Sequence, residues 1–516
     1  MRSVDCLRRT RQPWLLSSLG VLAFTCVAHG SGNHHSVPMG GRSALMGGTG
    51  VALAVDGAAP FLNPATIVRI EDLSLSFSSQ FFRFSERKID AFHQPGAVDP
   101  AAFGALQLED TTITTTDFDN LPDSTCLFFG TPERRGVARA RAGSYRVALC
   151  LAKIEQSLLV VPALNFSATS AGRRVQQSQS LRQEWSRRAF GPALSYAITD
   201  DLSVGLSLFG TRSKLRTNVT AVTASEELAT TEVTRSTYFE ALDAYSWDVL
   251  VHAGATYHLT REIALGLSIR TPTFVHVHDQ IDASHDVSFE DATPTSRLSQ
   301  AAGEFIARPA PRLALGLGVE TGRLRLELDG YLYAGQSDFA RAEMSRDMLE
   351  VNAGQVAARR QERIVVSEDV DPVLDAGLGV EYFVARDVSL VSGVGFDASA
   401  LPELQSVAPE TRLFRSRGDI YHAAFGVAVY GGVGDLMVGL RGDYMSGQMS
   451  VVNAFVDPNR LEVVDAREWG LTLVLAGRLS LSSVARAADR VEDAVKGQAT
   501  EPQDRPAEPM RAPRTR

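Results

Sequence analysis

The stretch "PRLALGLGVETGRLRLELD", Pro311 to Asp329, decides the fold. Two runs of strict period two flank Thr321-Gly322. In the first, Leu313, Leu315, Leu317 and Val319 share one face and small residues take the other. In the second, Leu324, Leu326 and Leu328 point one way, while Arg323, Arg325, Glu327 and Asp329 point the other. Successive side chains of a strand lie on opposite faces, so the stretch reads as a tight hairpin with one apolar and one small or polar face.

The same pattern recurs in "EIALGLSIR" (262–270) and "EWGLTLVLAGRLSL" (468–481). Alternation gives about fourteen strand candidates: 72–84, 123–130, 144–154, 187–198, 201–212, 246–259, 262–271, 310–321, 323–333, 373–384, 387–398, 418–430, 435–446 and 467–481. Short turns at Thr199-Asp200-Asp201, Thr260-Arg261, Thr321-Gly322, Ala385-Arg386 and Gly431–Gly434 alternate with long polar stretches. These are 85–122, 155–186, 213–245, 271–309, 334–372, 399–417 and 447–466, and they read as loops. An even count of strands of about 9–11 residues, with short turns at one end and long loops at the other, predicts an all-β antiparallel barrel of the outer-membrane kind. A secreted β-sandwich also alternates, but a chain of this length would then divide into domains joined by linkers, and no linker precedes residue 482.

The chain has 516 residues, 44% hydrophobic and 22% charged, with a formal charge of −9. That composition is globular, and its acidity excludes a general nucleic-acid binder. Arg2, Arg8, Arg9 and Arg11 precede the short apolar run Leu15–Ala28, and Ala28-His29-Gly30 supplies small residues for cleavage. Residues 1–30 therefore read as a secretory signal peptide, with cleavage near Gly30 favoured over lipidation at Cys26. Residues 31–71 form a small N-terminal segment, 72–481 the barrel, and the Pro-rich, charged 482–516 a flexible tail. Cys126 and Cys150 remain after export. They lie about equally far from residue 138, the midpoint of the expected turn 131–143, and the compartment favours oxidation; a bridge and two free thiols both stay open.

"MGGTGVALAVDGAAPFLNPATIVRI", Met46 to Ile70, poses a separate question. It is not a phosphate loop: no strand precedes it, the third glycine of a dinucleotide fingerprint is missing, and so is a Walker lysine. Its small residues suit close backbone packing, and Asn63-Pro64 initiates a turn. The run 41–67 resembles the N-terminal hatch of the long-chain fatty-acid outer-membrane transporter family (FadL-like, including TodX-type hydrocarbon transporters), which ends in an Asn-Pro-Ala motif before the first strand. Asp56, Asn63, Pro64 and Ala65 match that pattern, and "LGLSIRTP" (265–272) is similar to a recurrent strand end of the family. The resemblance implies a fourteen-stranded barrel plugged by a hatch. It also implies passive uptake of a hydrophobic small molecule such as a fatty acid or hydrocarbon, with no cofactor, no metal and no catalytic residue. Gly47, Gly48, Gly50, Asp56, Asn63, Pro64 and Ala65 become candidate hatch and gating residues. The expected setting is the outer-membrane bilayer, reached through the barrel assembly machinery, as a monomer. Alternatives are an adhesive or structural barrel, a secreted β-rich binding protein and an embedded hydrolase.

Arg323, Arg325, Glu327, Asp329, Arg441 and Asp443 fall on the predicted lumen face, as path-lining residues or as ordinary hydrated charges. His276 and His278 share a face and His34-His35 lie near the mature N-terminus, but without ligand-spaced partners they do not make a metal site. The Arg-Gly-Asp tripeptides at 417–419 and 441–443 both sit in strands, which leaves little to the adhesive reading.

Overall fold

Each alternating run forms a strand that pairs antiparallel with its neighbours. The computed structural model describes residues 32–34, 37, 39–70, 73–90, 111–117, 123–131, 140–170, 173–273, 275–290, 294–405, 412–452 and 461–484. The expected signal peptide and nearly all of the C-terminal tail lie outside the described residues.

In chain order the strands are β1 (Ser74–Ile89), β2 (Thr111–Asp117), β3 (Ser124–Gly130), β4 (Tyr145–Ser170), β5 (Arg173–Ala197), β6 (Leu202–Glu227) and β7 (Glu232–His258). There follow β8 (Ile263–Arg270), β9 (Val275–Glu290), β10 (Thr295–Ala307), β11 (Arg312–Glu320), β12 (Leu324–Tyr333) and β13 (Gln336–Asn352). The set ends with β14 (Gln355–Val370), β15 (Val373–Ala385), β16 (Val388–Asp397), β17 (Ser416–Tyr430), β18 (Gly434–Val452) and β19 (Leu461–Ser480). Five pairs are collinear: β2/β3, β8/β9, β10/β11, β12/β13 and β14/β15. The nineteen segments therefore make fourteen staves, and β1 closes the barrel on β19 from Ser74↔Ser480 to Ile89↔Ala466.

Leu265, Leu267, Ile269, Leu313, Leu315, Leu317, Leu328 and Leu332 all point outward and are exposed. Their inward neighbours are glycines, serines and buried charges. An apolar band on the outer face of a closed barrel is what a bilayer requires and what water penalises, so this is a transmembrane β-barrel. Exposed tyrosines 145, 196, 257 and 382 rim the band at the short-turn end, and Phe190, Tyr421 and Tyr444 at the other.

The long polar stretches are not the loops that their composition predicts. Residues 155–186 and 213–245 are continuous ladders, with β4–β5 paired out to Ser170↔Arg173 and β6–β7 out to Glu227↔Glu232. Residues 271–309 and 334–372 hold β9, β10, β13 and β14. The reason is physical. Above the band the outward face meets water, so the apolar half of the alternation disappears, while the inward positions keep it in Leu159, Val161, Leu181, Val219 and Val287, all buried. Of the expected loop 399–417, the described residues 399–405 and 412–415 are irregular. Above the band the wall is a broad sheet, β4-β5-β6-β7-β9-β10-β13-β14, facing a narrower one, β17-β18-β19-β1-β2. Among the described residues no ladder joins β2 to β4, and a cavity of about 230 Å³ sits at this seam, lined by Arg83, Arg87, Ile113, Leu158, Val160 and Arg182.

Below the seam the wall is stapled. Cys126 on β3 and Cys150 on β4 are direct register partners, 4.2 Å apart at Cα, and are joined by a disulfide on the lumen face. Denatured mature protein should show no reactive thiol until reductant is added. Closing a loop of this length stabilises by about 3 kcal/mol in the chain-entropy account. The Cys126→Ser Cys150→Ser variant should accordingly lose its heat-resistant gel band at a lower temperature than the parent; an unchanged temperature counts against the staple.

Candidate functional site

The segment before β1 folds inside the bore as α1 (Gly41–Leu45), α2 (Ala59–Leu62) and a 3-10 turn (Pro64–Arg69). Two polar side chains fix its shape. Asp56 accepts from Arg42 N (2.9 Å) and Ala58 N (3.0 Å). Asn63 caps the 3-10 turn by accepting from Ala65 N, and its amide donates to Val51 O (2.6 Å), Ala255 O and Thr256 Oγ1 (both 3.1 Å). Pro64 opens that turn, and Ser195 and Ser203 donate to Ala65 O (2.9 and 3.0 Å). The hatch lies directly on wall backbone. A Cβ at Gly266 would stand 2.1 Å from Val51 O, and one at Gly254 would stand 1.9 Å from Asn63 Oδ1. Gly47 has φ 70°, and a Cβ there would meet Val394 O at 2.3 Å. Gly48, also at positive φ, accepts from Tyr331 OH (2.8 Å), and Gly50 is held by the wall.

That hold is a carboxylate clamp on β12. Asp329 Oδ2 accepts from Gly50 N (2.7 Å) and Val51 N (2.9 Å), and Glu327 Oε1 accepts from Ala52 N (2.6 Å) and Leu53 N (2.9 Å). Four consecutive hatch amides are thus satisfied by two wall residues spaced i, i+2 on the lumen face. At the short-turn mouth an alternating charge chain adds to the grip. Hatch Arg42 meets Glu381 (3.1 Å), Glu381 meets Arg325 (3.1 Å), Arg325 meets Glu320 (2.6 Å), and Glu320 meets hatch Arg69 (2.6 Å). A cavity of about 340 Å³ opens here between hatch and wall.

Of the six charges expected in the lumen, Glu327 and Asp329 meet the hatch and Arg325 joins the chain. Arg441 and Asp443 are buried against each other at 2.7 Å. Arg323 is a correction: it lies in the turn before β12 and is exposed, because the strand begins one residue later. His276 sits between Asp248 (3.0 Å) and Asp279 (3.4 Å), partners that spacing along the chain conceals. Among the described residues no group of three or more His, Cys, Asp or Glu side chains is arranged so that it could hold a metal ion. Sequence reading missed Arg42, Arg69, Glu320 and Glu381. The available signal was acidic residues at inward strand positions facing two arginines in a segment otherwise made of small residues.

Above the hatch lies a buried polar layer. Arg312 donates to Phe61 O (2.9 Å) and Leu62 O (3.1 Å), and Arg187 pairs with Glu155 (2.6 Å). His34 stacks on Tyr333 with ring centroids 4.4 Å apart and lies 3.7 Å from Glu155. Burial pulls its imidazole below the usual histidine range.

Next comes an apolar layer crossed by the segment between β16 and β17. Leu401, Leu413 and Phe414 are buried with Trp185, Leu215, Phe305, Phe339 and Met344. The described residues 412–415 of this strap lead into the twelfth stave and are tied to the fourth and sixth, so they reach across the bore. On the far side Gln183 donates to Leu413 O (2.8 Å) and accepts from Arg415 N (2.9 Å), while Arg415 pairs with Glu240 (2.6 Å). Strap and hatch are themselves joined. Ala400 N donates to Gly32 O (3.1 Å), and Asn33 Nδ2 donates to Asp397 O (3.0 Å) and Gly418 O (3.1 Å). Hatch and strap therefore both cross the bore, with a buried polar layer between them and apolar side chains around and above the strap.

No family model matches the chain, and no curated protein does. Solved structures do. The toluene transporter TodX of Pseudomonas putida matches over 86% of this chain and 98% of its own, at 13% identity and a TM-score of 0.50. The Ralstonia pickettii toluene transporter TbuX matches over 85% and 97%, at 13% identity and 0.49. A Pseudomonas aeruginosa FadL homologue matches over 89% and 100%, at 12% identity and 0.48. At such identities the likeness is one of fold: this chain is a transmembrane β-barrel with the fold seen in TodX.

Proposed function

We propose that the protein is an outer-membrane channel for the passive entry of small hydrophobic molecules, fatty acids and hydrocarbons being the classes to try first. One observation carries this reading: above the buried polar layer the bore is lined by buried apolar side chains from opposite walls, where a pore for water-soluble solutes would present polar ones. The long hairpins then face outward, and the seam between β2 and β4 gives the apolar layer a side entrance. Hatch residues Gly47, Gly48, Gly50, Asp56, Asn63, Pro64 and Ala65 act as the gate, whose shift opens the route toward the charged mouth. Residues 1–30 direct export, 482–516 remain in the periplasm, and the assembly machinery inserts a monomer. Apolar contact and diffusion suffice as a driving mechanism, so no energy source or catalytic group is invoked.

Cells lacking the gene should take up labelled long-chain fatty acid, or a monoaromatic hydrocarbon, at a clearly lower initial rate, restored by the cloned gene. Unchanged uptake of both classes would sink the proposal.

A further inference from the structure

We propose that the outer wall of β5, β6 and β7, one residue row above the apolar band, binds the phosphates of a phosphorylated glycolipid in the outer leaflet. Arg188 and Arg212 are direct register partners, and Lys214 stands in the next row opposite Ser186. Alternation aims all three away from the bore, since Arg187, Ser213 and Leu215 are the buried, inward residues. Like charges directly opposite on a sheet destabilise it. Here two guanidiniums and an ammonium gather with no carboxylate partner among the described residues. The acidic residues on this face, Glu184 and Asp243, lie one row further from the band; Asp243 is bonded to Arg216 (2.6 Å), and Glu184 is the register partner of that same arginine. Such a cluster is relieved by an anion.

Its height and its aromatic neighbours identify the source. The row immediately toward the membrane is Phe190, Gly210 and Val249, the upper border of the band. Arg212 lies over the rings of Trp247 (5.5 Å) and Tyr245 (5.7 Å), and Trp247 packs edge-to-face on Phe190 at 5.9 Å. A guanidinium held by aromatic rings at the band's edge, with a second one opposite it, meets a headgroup phosphate while acyl chains run down past Phe190. A free anion has no need of that apolar border. The inference rests on the outer-membrane placement proposed above, but not on transport, because none of these side chains faces the lumen.

The test uses the purified mature protein in nanodiscs of phosphatidylcholine, with a bisphosphorylated disaccharide lipid or its dephosphorylated form added in trace. Native mass spectrometry reads the retained lipid. The parent should retain the bisphosphorylated lipid and not the dephosphorylated one. Arg188→Gln Arg212→Gln should retain it at least about tenfold less well, a change of about 1.4 kcal/mol. Arg188→Lys Arg212→Lys should keep most of the binding, and Arg359→Gln Arg360→Gln, on distant β14, should keep all of it. Heat-modifiable migration identifies the folded variants. Equal retention by parent and Gln variant, equal retention of the dephosphorylated lipid, or displacement by equimolar inorganic phosphate would each overturn the proposal. Should the Gln variant not fold, the Lys variant and the dephosphorylated lipid still decide. Normal lipid retention with absent uptake would instead remove the transport reading alone.

Discussion

Replacing Glu327 and Asp329 together by alanine is expected to free the hatch while leaving the barrel closed. The two carboxyl groups satisfy the backbone N–H of Gly50, Val51, Ala52 and Leu53 at 2.6–2.9 Å. Each buried amide left without a partner costs about 1–3 kcal/mol, so even with partial rescue by water the hatch loses several kcal/mol of its seating. The barrel loses little, because its ladders run through backbone and Leu328 still faces lipid. The expected readout is a protein that keeps heat-modifiable migration but is now cut by protease within residues 46–58, where the parent resists. Arg323→Ala, at the exposed turn residue, should change neither property. A double variant whose hatch stays protected would show that the charge chain through Glu381, Arg325 and Glu320 and the wall contacts of Asn63 suffice without the clamp.

How far this arrangement was legible follows from which face each residue serves. Where lipid is the outer solvent, apolar side chains recur at alternate positions and the strand declares itself, as leucine does in 262–270 and 311–329. Glu327 and Asp329 were legible as lumen residues for the same reason, but what they grip is almost 280 residues away and leaves no trace in local spacing. Asn63 signalled a turn, yet its three further bonds to Val51, Ala255 and Thr256 depend on a wall glycine, Gly254, that makes room for it. Where water replaces lipid the code fails. Residues 155–186 and 213–245 look like loops because most of their outward positions are polar, which breaks the apolar alternation. Arg323 was misplaced because period two says nothing about where a strand starts. The strap was hidden for a different reason: an irregular segment becomes a closure only through partners on the opposite wall, such as Gln183 and Glu240.

The strap makes the stronger demand on the double-closure architecture. Two barriers in series pass current only when both are open, so the clamp variant alone should stay electrically silent in a planar bilayer despite its loosened hatch. Phe414 is the strap's anchor: it is buried to 1% exposure, edge-on to Trp185 at 5.4 Å and tilted against Phe339 at 6.1 Å. Phe414→Ala removes about 3–5 kcal/mol of packing, and Arg415→Ala removes the ion pair to Glu240. With both changed, the strap loses its aromatic anchor and its ion pair and keeps the hydrogen bonds to Gln183 and Glu368. This strap variant by itself should also be silent, since the hatch still seals the short-turn end. Combined with Glu327→Ala and Asp329→Ala it should give discrete channel openings that neither pair produces alone. Openings from the clamp variant alone would mean that the strap does not close the bore. Silence in the combined variant, with its hatch shown to be protease-sensitive, would mean that a third barrier stands in the polar layer of Glu155, Arg187 and Arg312.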